Sequence, residues 1–166
     1  HLRSAPSREA SPNNTQPTPP QVAERIAMRT SKDIQTDLLA LLYDSQLAQA
    51  VSGEVYRGGQ RPRDSKLEDI TLRVTSATAS QRQEGVAVVN VFVPDIPVGK
   101  TATLTEDARR TAELERVATA WAEALTADVT GDYLIRLDSA VYTMQEEERK
   151  EHFIVVRLRF SILNLD

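Results

Sequence analysis

Cysteine is absent from the 166 residues of this chain. That excludes disulfides, thiolate metal sites and cysteine nucleophiles, and it leaves the redox compartment open. Histidine is scarce. His1 opens the chain and His152 is the only one inside its patterned part. A catalytic or metal-binding role for His152 would need partners, so it reads as a residue that opens a strand. No apolar run approaches the ~20 residues of a membrane span. No charged-then-apolar leader opens the chain, so no signal peptide is expected. Strong positive charge is also missing. A net charge of -4 argues against a non-specific nucleic-acid binder, which is normally basic. No GxSxG, HExxH, Walker or GxGxxG pattern occurs.

What is present suits a single folded domain with a tail. Hydrophobic residues make up 40% and charged residues 27%, enough to bury a core and keep a soluble surface. The chain opens on His1 rather than methionine. It is therefore expected to be a fragment, to carry a tag remnant, or to begin in earnest at Met28. Residues 1–27 form the tail. Pro6, Pro12, Pro17, Pro19 and Pro20 stand there among Ser, Asn, Thr and Gln. With so little to bury, the ordering entropy goes unrecovered and disorder is expected. Pro17 and Pro20 have the PxxP spacing that docks in aromatic grooves, but a plain linker is the better reading. A short frayed helix is expected over residues 22–28. Residues 28–166 are the domain.

Residues 103–128 are the longest periodic stretch. Leu114, Val117, Ala118, Trp121 and Leu125 form an apolar stripe at helical spacing. Thr103 and Glu106 have capping-box spacing, so a helix is expected over about 104–127. Trp121, the single tryptophan, should supply its largest buried side chain. A second helix is expected over about 31–43. Thr30 with Asp33 suits its cap, and Ile34, Leu38, Leu41 and Leu42 share one face. Strands are expected at 54–57, 69–76, 85–93, 133–143 and 153–163. In the second, Ile70, Leu72 and Val74 alternate with Thr71, Arg73 and Thr75. The third, GVAVVNVFV, is apolar enough to be central and covered on both faces. The last alternates Ile154, Val156, Leu158, Phe160 and Ile162 against Arg157, Arg159 and Ser161, and should form an antiparallel hairpin with the strand before it. The fold class is α+β: a mainly antiparallel sheet of four to five strands carrying the two helices.

Few residues carry candidate chemistry. Gly58–Gly59–Gln60 is the tripeptide with which class-I peptide release factors orient water at a peptidyl ester. The residues that follow it in that family are replaced here by Arg61–Pro62, and an ordinary hairpin turn accounts for the glycines. Arg57, Arg61, Arg63 and Lys66 cluster around this loop and suit an acidic surface or phosphates. Tyr56 alone interleaves them, so base stacking is not suggested. Glu146, Glu147 and Glu148, with Glu151, form an acidic loop. Carboxylate pairs bind metals or do acid–base work, but at a hairpin tip they more often keep an edge solvated. Arg157 and Arg159, on the outward side of the last strand, read as a solvated face or as contacts for acidic residues of a second subunit. No catalytic, metal or cofactor residue is assigned.

The chain reads SKDIQTDLLALL, then GEVYRGGQRPRDSKLEDI into a strand, VAVVNVFVPDI, TEDARRTAELERVATAWAEAL, and HFIVVRLRFSI to close. In this order, and in the VNVFVPDI-type strand, residues 30–163 resemble the tail-terminator or tail-completion (head–tail joining) proteins of long-tailed phages and prophages. The resemblance implies an α+β subunit that is not an enzyme. Copies would form a homo-oligomeric ring, six subunits being one candidate size, that ends the tail tube and joins it to the head. The partners implied are the chain itself and tail-tube and neck proteins. No cofactor, membrane, specific nucleic acid or small-molecule substrate is implied, and the place is the virion, or the host cytoplasm during assembly. Loops 58–65, 94–103 and 145–151 are then candidate subunit contacts. The alternatives are another small α+β virion adaptor of the neck or minor tail and, remotely, a GGQ-containing peptidyl hydrolase.

Overall fold

The computed structural model describes residues 29–77, 83–127 and 129–163. The expected disordered segment 1–27 and the helix over 22–28 lie outside the described residues, as do positions 78–82 of the expected polar turn.

The described chain opens with helix α1 (Ser31–Tyr43), whose N-terminus carries the predicted capping box. The Thr30 hydroxyl accepts from the Asp33 amide at 3.1 Å, and the Asp33 carboxylate accepts from the Thr30 amide at 3.2 Å. Two of the helix's unpaired amides are satisfied in this way. A short α2 (Gln46–Ala50) follows, capped by Ser45. Strands β1 (Val55–Arg57), β2 (Ile70–Ala77) and β3 (Gln83–Pro94) come next. Then come a small hairpin, β4 (Ile96–Pro97) with β5 (Leu104–Thr105), and the long helix α3 (Ala108–Thr126). The chain closes with β6 (Tyr133–Leu137), β7 (Tyr142–Glu146) and β8 (Glu151–Ile162).

Six strands make one sheet in the order β1-β2-β3-β8-β6, with β7 also on β8. Only β1 and β2 run parallel; the other pairs are antiparallel. The fold class is the α+β arrangement the periodicity predicts, with one strand more. The extra strand arises because the single strand expected over 133–143 is broken. Leu137 faces Leu158 and Tyr142 faces Val155, so residues 138–141 oppose only Val156 and Arg157. The surplus residues bulge out, and β6 and β7 lie end to end along β8.

Both helices pack on one side of the sheet, here the inner face. Trp121 is 6% exposed. It sits with Leu38, Leu41 and Leu42 of α1 against Leu72, Ala87, Val89 and Leu158, around a residual void of only about 10 Å³. The stripe of α3 is the predicted one: Leu114, Ala118 and Trp121 are buried, and Val117 and Leu125 pack at its edge. Its start is not. The cap is Asp107, which accepts from the Arg110 amide at 3.1 Å. Thr103 and Leu104 are drawn into the β4–β5 hairpin, where Pro97 pairs with Leu104 and the Val98 amide donates to the Thr103 carbonyl. Backbone pairing there replaces the helix turn that residues 104–107 would have formed.

The central strand also differs from expectation. Ala87, Val89, Val91 and Val93 are buried on the inner face, while Val86, Val88, Asn90 and Phe92 on the other side are half-buried. One face of β3 is fully covered and the other only in part. That partly covered outer face carries most of the candidate residues.

Candidate functional site

Residues 58–68 fold back over one end of the outer face. Gly59 makes the turn with φ 87, a left-handed backbone that glycine adopts without a Cβ penalty. Gln60 donates its amide to the Arg57 carbonyl and leaves its side chain exposed. The loop then inserts Arg61. Its guanidinium lies 4.0 Å above the centre of the Phe92 ring. Its Nε donates to Asp69 at 2.9 Å, and its Nη1 and Nη2 donate to Glu151 at 2.9 and 3.2 Å. The side chain of Arg61 is 5% exposed, that of Asp69 is fully buried and that of Glu151 is 3% exposed. Arg149 adds a second contact to Glu151 at 3.4 Å.

Asp69 is the centre of this knot. Besides Arg61 it accepts from the Ser65 hydroxyl and, at 3.0 Å, from the Glu54 amide that opens β1. Burial pushes its carboxyl up, but the donors from Ser65, Glu54 and Arg61 outweigh it and hold it below the usual carboxylate range. Glu68 does a similar job one residue earlier. It accepts from Arg110 at the start of α3 at 2.7 and 2.8 Å, and Arg110 also donates to the Ala50 carbonyl that ends α2. The loop is thereby fixed to α3 and to the sheet, and Arg110 ties the end of α2 to the same point.

At the other end of the same face the arginines stand open. Arg157 and Arg159 share Asp138, which lies in the bulge between β6 and β7, at 2.9 and 3.2 Å. Their hydrogen bonds hold the Asp138 carboxyl below its ordinary value. Arg136 faces Arg159 directly across the β6–β8 pairing. Arg73 faces Val88, which faces Arg157. All four arginines are exposed. Beside them lies a hollow of about 290 Å³ lined by Glu84, Leu134, Arg136, Arg159, Phe160 and Ser161.

The structure therefore separates residues that sequence spacing grouped. Of the basic cluster, only Arg63 and Lys66 are exposed. Arg61 is internal. Arg57 reaches α1, donating to the Gln35 side chain at 2.9 Å and to Thr36 at 3.0 Å. Of the acidic loop, Glu146 ends β7 and Glu147 and Glu148 stand exposed in the turn, but Glu151 is drawn into the buried knot. The turn itself spans 147–150, with Lys150 left-handed at φ 55. Arg157 and Arg159 are on the outward face, as their alternation predicts, but the carboxylate that meets them belongs to the same chain.

Two features escaped sequence reasoning. His152 has a partner: its Nδ1 lies 2.7 Å from Asp95 Oδ1, and both side chains are largely buried. The β4–β5 hairpin holds Ile96, Val98 and Leu104 out as exposed apolar side chains. The signal for it was the pair of β-forming stretches around Gly99, masked by Pro97. Two more exposed large apolar side chains, Tyr142 and Met144, stand on β7. Among the described residues no group of His, Asp and Glu is placed to hold a metal ion, and no helix is long and apolar enough to cross a membrane.

No protein-family model matches this chain, and no curated protein does. One solved structure, whose name states no function, aligns over 79% of this chain and 97% of its own, at 18% identity and a TM-score of 0.46. Likeness at that level carries no argument.

Proposed function

We propose that this chain is a structural phage or prophage tail-assembly protein of the terminator type, acting as a homo-oligomer and not as an enzyme. The reading rests on the resemblance over residues 30–163, and the single structural observation that favours it is the β4–β5 hairpin. Ile96, Val98 and Leu104 stand in solvent on a two-stranded arm. An isolated hairpin is at best marginal in water, and clustered apolar surface on a soluble chain marks a contact with another protein. An assembly subunit has a use for such an arm. The ring would close through contacts of this kind between copies, and the remaining faces would meet the tail tube and the neck.

The test is the mass of the full chain in solution by light scattering, with negative-stain images of the same sample. A closed ring, or a concentration-dependent approach to one, is the expected result. A strict monomer at high concentration favours the adaptor reading instead, a small virion module that meets other proteins singly. The hydrolase reading has its own test. Gln60→Ala abolishes ester hydrolysis if the exposed GGQ loop is catalytic, and it leaves assembly unchanged if the loop is only a turn.

A further inference from the structure

The outer sheet face carries a basic surface on an acidic chain. Arg73, Arg136, Arg157 and Arg159 are exposed on it, against Asp138 and Glu84, while the whole chain carries -4. Arg136 and Arg159 sit directly opposite one another, an arrangement that like-charge repulsion disfavours within a single sheet. Among the described residues Arg73 and Arg136 make no ion pair, and neither do Glu146, Glu147 and Glu148. The two unmatched sets lie apart: Arg73 is on β2 and Arg136 on β6, away from the turn that joins β7 to β8. Glu146 faces Glu151 at the start of β8. Arg157 is roughly 20 Å further along that strand, at ~3.4 Å per residue. Glu147 and Glu148, which share their turn with Arg149 and Lys150, are thus out of reach of Arg157 in their own subunit.

We infer that the exposed turn carrying Glu147 and Glu148 of one copy docks on the arginine rows around Arg136, Arg157 and Arg159 of a second copy. This rests on the homo-oligomeric reading above and names the contact that builds it. Donor and acceptor surfaces are different patches, so the contact is heterologous: each subunit gives a turn to one neighbour and a face to the other. Such a contact closes into a ring or runs on as a filament. The second copy also supplies an anion for Arg136, which has no ion pair among the described residues, beside the Asp138 that Arg157 and Arg159 share. A flexible phosphate backbone is the competing occupant of the arginine rows, and the experiment separates the two.

The full chain is measured by sedimentation velocity at low and at high salt, alongside Glu147→Arg/Glu148→Arg, Arg157→Glu/Arg159→Glu, and an equimolar mixture of the two double variants. Melting curves report folding, and the turn variant alters only exposed side chains. Each double variant alone is expected to weaken self-association about tenfold or more, as is raised salt in the parent. The mixture restores it, because every turn then meets a face of opposite sign. Variants that assemble like the parent overturn this contact and leave the ring reading standing. A parent that stays monomeric at low salt overturns both. A parent that stays monomeric but shifts a short DNA duplex, with the shift lost in Arg157→Glu/Arg159→Glu, overturns the contact in favour of phosphate.

Discussion

At one end of the outer sheet face the side chain of Arg61 is 5% exposed, locked between Asp69 and Glu151 and stacked on Phe92. At the other end that of Arg159 is 60% exposed, sharing Asp138 with Arg157. The chemistry is the same, guanidinium on carboxylate, and the consequences are opposite. In the closed end every partner is desolvated, so removing one leaves buried charge uncompensated. In the open end water screens the pair and the net interaction is small. The closed end holds a loop to the fold. The open end keeps its charge available to something outside.

The largest expected effect is therefore at Arg61. Arg61→Ala leaves Asp69 and Glu151 facing each other across a hole over the Phe92 ring, and should destabilise by about 3–5 kcal/mol. Urea denaturation measures it. A loss no larger than that of an exposed arginine would show that residues 58–68 are not fixed as described and would erase the contrast between the two ends.

Next is Gly53, beside the same knot. A Cβ at this position would lie 2.1 Å from Asp69 Oδ1 and 2.6 Å from the Glu68 carbonyl oxygen. The Asp69 carboxylate is held by three sets of donors and has nowhere to move. Gly53→Ala should cost about 1–3 kcal/mol through forced displacement, read as a lower midpoint in the same titration. The substitution touches no charge, so it tests the rigidity of the closed end apart from its electrostatics.

Acid should then distinguish the ends by slope. The Asp69 carboxyl is held below its ordinary value in the folded chain. A depressed carboxyl contributes stability that is fully present above its unfolded pKa of about 3.9 and is lost as pH falls through the folded one. Stability should fall below about pH 4, and Asp69→Asn, whatever its stability at neutral pH, should show a shallower decline over that range. Equal slopes would mean that other carboxylates, Glu68 among them, carry the acid sensitivity.

Much of this architecture was legible in the sequence because it is local. The capping box at Thr30, the Leu114–Ala118–Trp121 stripe and the alternation from Ile154 to Ile162 each report a repeating geometry that neighbouring residues share. What stayed hidden is long-range or competitive. Arg61 reads as a loop arginine because nothing in its neighbourhood reveals that Glu151, ninety positions away, will be brought beside it. The break between Leu137 and Tyr142 depends on pairing with β8, not on its own residues. The start of α3 lies later than its pattern predicts because Thr103–Glu106 satisfies a cap pattern, while Leu104 and Thr105 gain more from backbone pairing with Ile96 and Pro97. The open arginine rows were half legible: Arg157 and Arg159 follow from alternation, but Arg136 and Arg73 join them only through register.

The smallest expected effect sharpens the comparison most. Arg159→Ala removes an exposed side chain whose carboxylate partner keeps Arg157. It also relieves the like-charge opposition with Arg136. The unfolding midpoint should stay within about 0.5 kcal/mol of the parent, with a small gain as the more natural direction. Thermal melting at low salt, where surface charge counts most, is the sensitive measurement. A loss approaching that of Arg61→Ala would mean that Arg159 serves the fold after all, and a basic face maintained for folding needs no partner. A neutral result means that Arg159 adds nothing to the fold, and its charge is then free for a contact outside the chain.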